Sequence, residues 1–180
     1  MDYKELIKRC KKRDPEAQKS LYNQLSVPIY KVCIRYFDNE FDAEDTLISG
    51  LYKFFHNIDK FEYNNEAKLF GWVKRIVVNE ALMLIRSRTN FNMVGSDNAQ
   101  NMSSDISPLG DLHAQDLLKM IRELPVGYRT VFNLHVIEGY NHVEIGEMLE
   151  IKTNTSKSQL HKAKAILKKR INKNSQYYGT

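Results

Sequence analysis

The chain has 180 residues, 42% of them hydrophobic, with 27 Lys or Arg against 22 Asp or Glu and a formal net charge of +5. That length sets one or two compact domains, and the apolar content supports a packed core. Two distant cysteines, Cys10 and Cys33, exclude a disulfide framework and a zinc site, and no apolar run approaches the roughly 18 residues of a membrane span. With no charged-then-apolar leader at its start, the protein is expected to be soluble and cytoplasmic, with reduced thiols.

Apolar residues recur at helical spacing nearly throughout, and strand-like alternation is absent, so the predicted fold is all-α. Asp14-Pro15-Glu16 opens a helix that runs towards Tyr36: an aspartate cap, proline at the first helical position, then an acid in the first turn. Asp42-Ala43-Glu44-Asp45 opens the next, with acids at the positive end of the helix dipole and Leu47, Ile48, Leu51, Phe54, Phe55 and Ile58 as its apolar positions. After a polar loop, Phe61 to Asn65, a third helix carries Leu69, Trp72, Val73, Ile76, Val77, Ala81, Leu84 and Ile85. Residues 89–110 then hold four Asn, four Ser, two Gly, one Pro and no Lys or Arg, the composition of a flexible linker. A second helical block follows. Pro125 separates Leu117, Leu118, Ile121 and Leu124 from Tyr128, Val131, Phe132 and His135. The expected organisation is two small helical domains, 1–88 and 112–180, joined by a linker at 89–111.

The positive charge is concentrated at one end. Residues 1–88 hold 16 basic and 13 acidic residues, and 111–150 hold 3 and 7; 151–180 hold 8 basic and no acid. That end reads as helix, turn, helix. His142 to Leu149 forms the first helix, Gly146 allows a close helix approach, and Ile151 plugs the turn. In the second, Thr155 to Ile171, Leu160, Ala163 and Leu167 form a buried stripe with Ser156 one turn earlier. Thr155, Lys157, Ser158, Gln159, His161, Lys162 and Lys164 are then left for an outward face. Such a face suits a DNA major groove: Gln and Lys bond base edges, while Lys and Ser hold phosphates. The plainer alternative is a solvated basic helix.

No catalytic constellation stands out. The histidines at 56, 113, 135, 142 and 161 have no carboxylate or Cys partner at ligand spacing, and no Gly-rich phosphate loop is present. No enzyme activity, cofactor or metal is expected.

Two sets of residues in chain order give the sequence a family resemblance. In the C-terminal block these are Leu124-Pro125, Tyr128-Arg129, Val131-Phe132, Glu138-Gly139-Tyr140, Glu144-Ile145-Gly146-Glu147-Met148-Leu149 and Thr155-x-Lys157-Ser158-x-Leu160-His161-x-Ala163. In the N-terminal block they are Asp42-Ala43-Glu44-Asp45, then Asp59-Lys60-Phe61 after thirteen intervening residues, then Phe70-Gly71-Trp72-Val73-x-Arg75-Ile76-Val77-Val78-Asn79-x-Ala81. The chain resembles the extracytoplasmic-function (ECF) sigma factors of bacterial RNA polymerase over almost its whole length. The resemblance implies an initiation subunit that binds core RNA polymerase and promoter DNA, with an anti-sigma factor as a further partner that the family admits. It implies core contact through Asp42, Glu44, Asp45, Ile48 and Leu51. It implies −10 DNA contact through Lys60, Phe61, Tyr63, Lys68, Trp72, Lys74, Arg75 and Asn79, and −35 contact through the outward face above.

Read as residues alone, the acids at 42–45 equally stabilise a helix start, and Trp72 equally suits a core. A helix-turn-helix regulator working without polymerase is the alternative function. Five positions depart from the family pattern: Ile48-Ser49 replace a common Gln-Glu pair, Lys152 a serine cap, Glu150 a turn glycine, and Ser156 an apolar residue. Glu150 is therefore expected in a left-handed conformation.

Overall fold

The structure, a computed structural model, describes residues 2–89, 91 and 112–175, the side chains of 112–114 and 173–175 excepted. All regular structure among them is helical: α1 Tyr3–Lys11, α2 Pro15–Cys33, α3 Glu40–His56, a 3₁₀ turn Ile58–Lys60, α4 Glu66–Arg88, α5 Leu112–Arg122, α6 Val126–Phe132, a π turn Asn133–Ile137, α7 His142–Leu149 and α8 Thr153–Ser175. The chain divides into two compact units, Met1–Ile85 and Arg86–Thr180. The expected linker lies, apart from Thr89 and Phe91, outside the described residues.

In the first unit, α1 is an element the sequence reading passed over; it buries Leu6, Ile7 and Cys10. Helix α2 starts where Asp14 predicts. Its carboxylate accepts from the N–H groups of Glu16 at 3.0 Å and Ala17 at 3.2 Å, and Arg9 binds the same side chain at 2.7 Å. Ala17, Leu21, Leu25, Ile29 and Val32 form its buried face. Helix α3 begins at Glu40, two residues before the expected acid run, because Asn39 is the cap and accepts from the Asp42 N–H at 2.8 Å. Gly50 has a steric reason that the sequence reading did not see: a Cβ there would collide with the side chain of Val77 on α4. Arg13, with φ of 62°, sends its guanidinium to Asp59 at 2.7 Å and to the Phe55 carbonyl at 3.2 Å, tying the turn between α1 and α2 to the end of α3 and the 3₁₀ turn. Both cysteines are free and buried, and burial pushes their thiols up to about 11 for Cys10 and about 12 for Cys33.

In the second unit, Met120, Ile121, Leu124, Tyr128, Ala163 and Leu167 pack together, with Phe132 and Ile166 against them. Buried Arg129 donates to the Arg122 carbonyl, and the Thr130 hydroxyl donates to Val126 O at 2.7 Å. Helix α7 opens on a reciprocal cap. Asn141 Oδ1 accepts from Val143 and Glu144, and Glu144 Oε2 accepts from the Asn141 N–H at 2.7 Å. Glu150 takes the left-handed conformation expected of it, φ 57° and ψ 41°. Gly146 carries the close approach: a Cβ there would stand 2.9 Å from Ile151 O. The buried stripe of α8 includes Ser156, Leu160, Ala163 and Leu167, as its spacing predicts.

Candidate nucleic-acid interface

Three faces carry the residues that the sequence singled out. On α3, Glu44, Asp45 and Ile48 are exposed, Ile48 by 60%. Asp42 and Leu51 are not part of that face, which corrects the expectation that all five are presented to a partner. Asp42 is 7% exposed because it points back to the helix start, where its carboxylate accepts from Asn39 Nδ2 at 2.9 Å. Leu51 lies in the core at 1%. One turn repeats every 3.6 residues, so 44, 45, 48 and 52 share a side while 47, 51 and 54 take the opposite one. Phe41 and Tyr52, exposed by 76% and 70%, extend the outward side. Neither is among the residues that the sequence singles out, although their spacing of seven and four residues from Ile48 and their aromatic character are visible there.

On α4, Lys68, Arg75 and Asn79 are exposed and Trp72 and Lys74 half-buried. Lys68, Trp72, Arg75 and Asn79 follow one another by four, three and four residues, the spacing of one helical stripe. The polar loop at 61–65 precedes this stripe, and Lys60 at its base is exposed. Phe61 does not lie open to stack on a base, as expected of it. It is 4% exposed and stacks on Trp72 with centroids 4.7 Å apart and planes within 8°, while Phe54 meets Trp72 edge-on at 5.4 Å. The physical reason is local: an aromatic at the loop start gains more by covering the indole than by standing in water. Phe61 thereby fixes the loop to α4, and Tyr63, half-buried, is the aromatic left at its surface. Partial burial first, then Asp2, Glu66 and Tyr3, raise the Tyr63 phenol above its ordinary value. Asn65 caps α4, accepting from the Lys68 N–H at 2.8 Å.

On α8, Lys157, Ser158, His161, Lys162 and Lys164 are exposed and Thr155 half-buried. Gln159 is the exception. It is 3% exposed, and its Nε2 donates to the Phe91 carbonyl at 3.4 Å. Position 159 falls three residues after Ser156 and four before Ala163, so helical periodicity puts it on the buried stripe. Its polar side chain, not its register, suggested the outward face. A feature that no spacing rule announced lies behind this helix. The rings of His135 and His142 stack at 4.4 Å within 10°, and His142 Nδ1 meets the buried Ser156 hydroxyl at 2.9 Å.

Among the described residues, no group of three His, Cys, Asp or Glu gathers to hold a metal, and no helix is long and apolar enough to cross a membrane.

Comparison with known proteins meets this geometry at both ends. Residues 21–91 match the model of "Sigma-70 region 2", and residues 114–167 match that of "Sigma-70, region 4". ECF RNA polymerase sigma factor SigW of Bacillus subtilis is 28% identical over 184 residues, covering 95% of this chain and 97% of that protein. ECF RNA polymerase sigma factor SigE of Mycolicibacterium smegmatis is 27% identical, covering 86% of this chain and 62% of that protein. The fold resembles that of the sigma factor RpoE of Bartonella quintana, solved with the anti-sigma factor NepR. That likeness has a TM-score of 0.52 and 20% identity, over 86% of this chain and 96% of the other.

Proposed function

We propose how the three faces divide the work of promoter-specific initiation in this chain, which belongs to the ECF sigma factors. The outward side of α3, with Glu44, Asp45 and Ile48, grips core RNA polymerase. The stripe Lys68, Trp72, Arg75, Asn79, with Lys60, Tyr63 and Lys74 nearby, holds the opened −10 strand: cations take phosphates, and the aromatic and the amide meet a base. Opening a duplex costs a few kcal/mol for each unstacked base, and capture of one strand offsets it without ATP. Helix α8 enters the −35 major groove, with Lys157, Ser158, His161 and Lys162 towards the bases and phosphates and Lys164 on the backbone. The protein acts by binding, without catalysing a reaction, in the cytoplasm where polymerase works.

The observation that carries this reading is the presence of regions 2 and 4, in that order, in one chain. A regulator that works apart from polymerase has no use for the first of them. The test is reconstitution. The chain is mixed with core polymerase and a genomic library, and transcript starts are sequenced. A shared promoter motif upstream of the starts is expected; random starts would end the proposal. In the same assay the double variant Glu44→Lys/Asp45→Lys, folded by circular dichroism, is expected to lose co-purification with core. Asn79→Ala is expected to lower permanganate reactivity at the −10 region on duplex, and to matter less on a template already mismatched there.

A further inference from the structure

Ser156 stands on the buried stripe of α8 where an apolar residue would pack, and it is fully buried. A buried hydroxyl without a partner costs free energy, so such a position persists only where something bonds it. Its partner is the imidazole of His142, the first residue of α7, at 2.9 Å. The bond joins the two helices of the helix-turn-helix near the N-terminal end of α8, the end whose side chains reach into a groove. The ring is held from its other side by His135, stacked on it from the π turn. His135 is itself fixed: its Nδ1 lies 2.9 Å from the Tyr140 carbonyl, and a carbonyl only accepts, so that nitrogen carries the proton.

We infer that His142 and Ser156 are a positioning pair that sets the pose of α8 on α7, clamped by His135, so that sequence-specific DNA binding requires a neutral His142. The inference rests on the reading of α8 as the −35 helix. The groups around the ring favour the neutral state. Burial comes first, then His135 from the π turn and Lys157 and Lys164 from α8, and together they hold the His142 pKa below its ordinary 6.5. On α7 itself the ring sits at the positive end of the helix dipole, and the one acid of the first turn, Glu144, is engaged in the cap. Because the folded value is depressed, folding favours the neutral ring, and the stability linked to that state is complete above about pH 6.5 and is lost as pH falls through the folded value. Protonation there adds a cation among cations and forces Nδ1 to donate, which ends any arrangement in which the serine donates to it.

The experiment uses the full chain. A duplex is first enriched from a randomised library by the wild type at pH 7.5, and binding to it is compared with binding to a scrambled duplex at fixed salt, from pH 7.5 to 5.5. Protonation of any histidine raises non-specific affinity, so the ratio of the two is the readout. The wild-type ratio is expected to fall as His142 takes its proton, towards a limit about threefold to tenfold lower, the scale of one hydrogen bond. His142→Gln, which keeps a hydrogen-bonding amide and does not titrate, is expected to fall clearly less. His161 is common to both chains and cancels. Ser156→Ala is expected to start lower at pH 7.5 and to lose the same acid limb. In that variant the His142 ring proton, followed by NMR, should titrate at a changed pH. Wild type and both variants sharing one pH profile would overturn the inference while leaving −35 recognition intact. Failure to enrich any sequence at pH 7.5 would instead overturn the reading of α8 on which it rests.

Discussion

The two units each present an exposed helix face, and different chemistry backs it. Behind α3 and α4 the first unit is apolar: Leu51, Phe54, Ile58, Leu69 and Val73 are all at most 1% exposed. Among the described residues, eight polar or charged ones are buried, and of these only Asp42 and Thr46 belong to it. The other six, Arg122, Arg129, Thr130, Asn133, Ser156 and Gln159, lie in the second unit around α6 to α8. Apolar packing is non-directional and tolerates small shifts, whereas buried polar groups are satisfied only in one arrangement. On the proposed division of work, the helix assigned to a groove is aimed by directional bonds, while the face assigned to polymerase has apolar volume behind it.

The contrast breaks or sharpens under substitution. The largest effect is expected from Phe54→Ala, which removes a fully buried ring from against Trp72. It should cost about 3–5 kcal/mol. Trp72 is the single tryptophan of the chain, so its fluorescence follows the first unit alone in urea; a loss below about 1 kcal/mol would mean the apolar account is wrong. Next comes Arg129→Met in the second unit, which keeps apolar volume but leaves the Arg122 carbonyl without this buried donor. A loss of about 2 kcal/mol is expected, read by helix circular dichroism as a transition that Trp72 does not follow. If the substitution were neutral, the polar core would be incidental.

Glu150→Gly should act in the opposite sense. The residue is exposed and left-handed, and relief of that backbone strain is expected to raise stability by about 1 kcal/mol. Calorimetry showing no gain would indicate that the turn holds Glu150 by contacts stronger than its strain. The smallest effect is a pH dependence. The Arg9 hydrogen bond first, then the Ala17 N–H, hold the Asp14 carboxyl below its ordinary value. Its contribution is present above about pH 4, the unfolded value, and declines as pH falls through the folded one. Asp14→Asn, which still caps α2, should flatten that part of the acid limb in a pH titration of stability.

Much of the candidate site was legible because it follows local rules. The α7 turn and the stripe through Leu160, Ala163 and Leu167 follow from periodicity and cap chemistry within a few residues, while the left-handed Glu150 follows from the family resemblance, which puts a glycine there. The misplaced residues share another cause. The resemblance points Asp42 and Phe61 towards a partner and side-chain type points Gln159 outward, and each has its contact inside: Asn39, Trp72 and the Phe91 carbonyl. Two of those partners are more than ten residues away, beyond the reach of any window of helical spacing.

Composition and period by themselves determined an all-helical chain and its basic end; the faces proposed for polymerase and DNA came largely from the family resemblance. Only the tertiary structure decided which polar residues turn inward and what they bond. His135, His142 and Ser156 stand seven and fourteen residues apart, across a turn and between helices. Nothing in their spacing requires a contact; the packing of the π turn and α7 against α8 brings them together. Hydrophobic period is a property of one helix, whereas a buried hydrogen bond is a property of two elements at a fixed distance, and that distance is written in the packing of the whole unit.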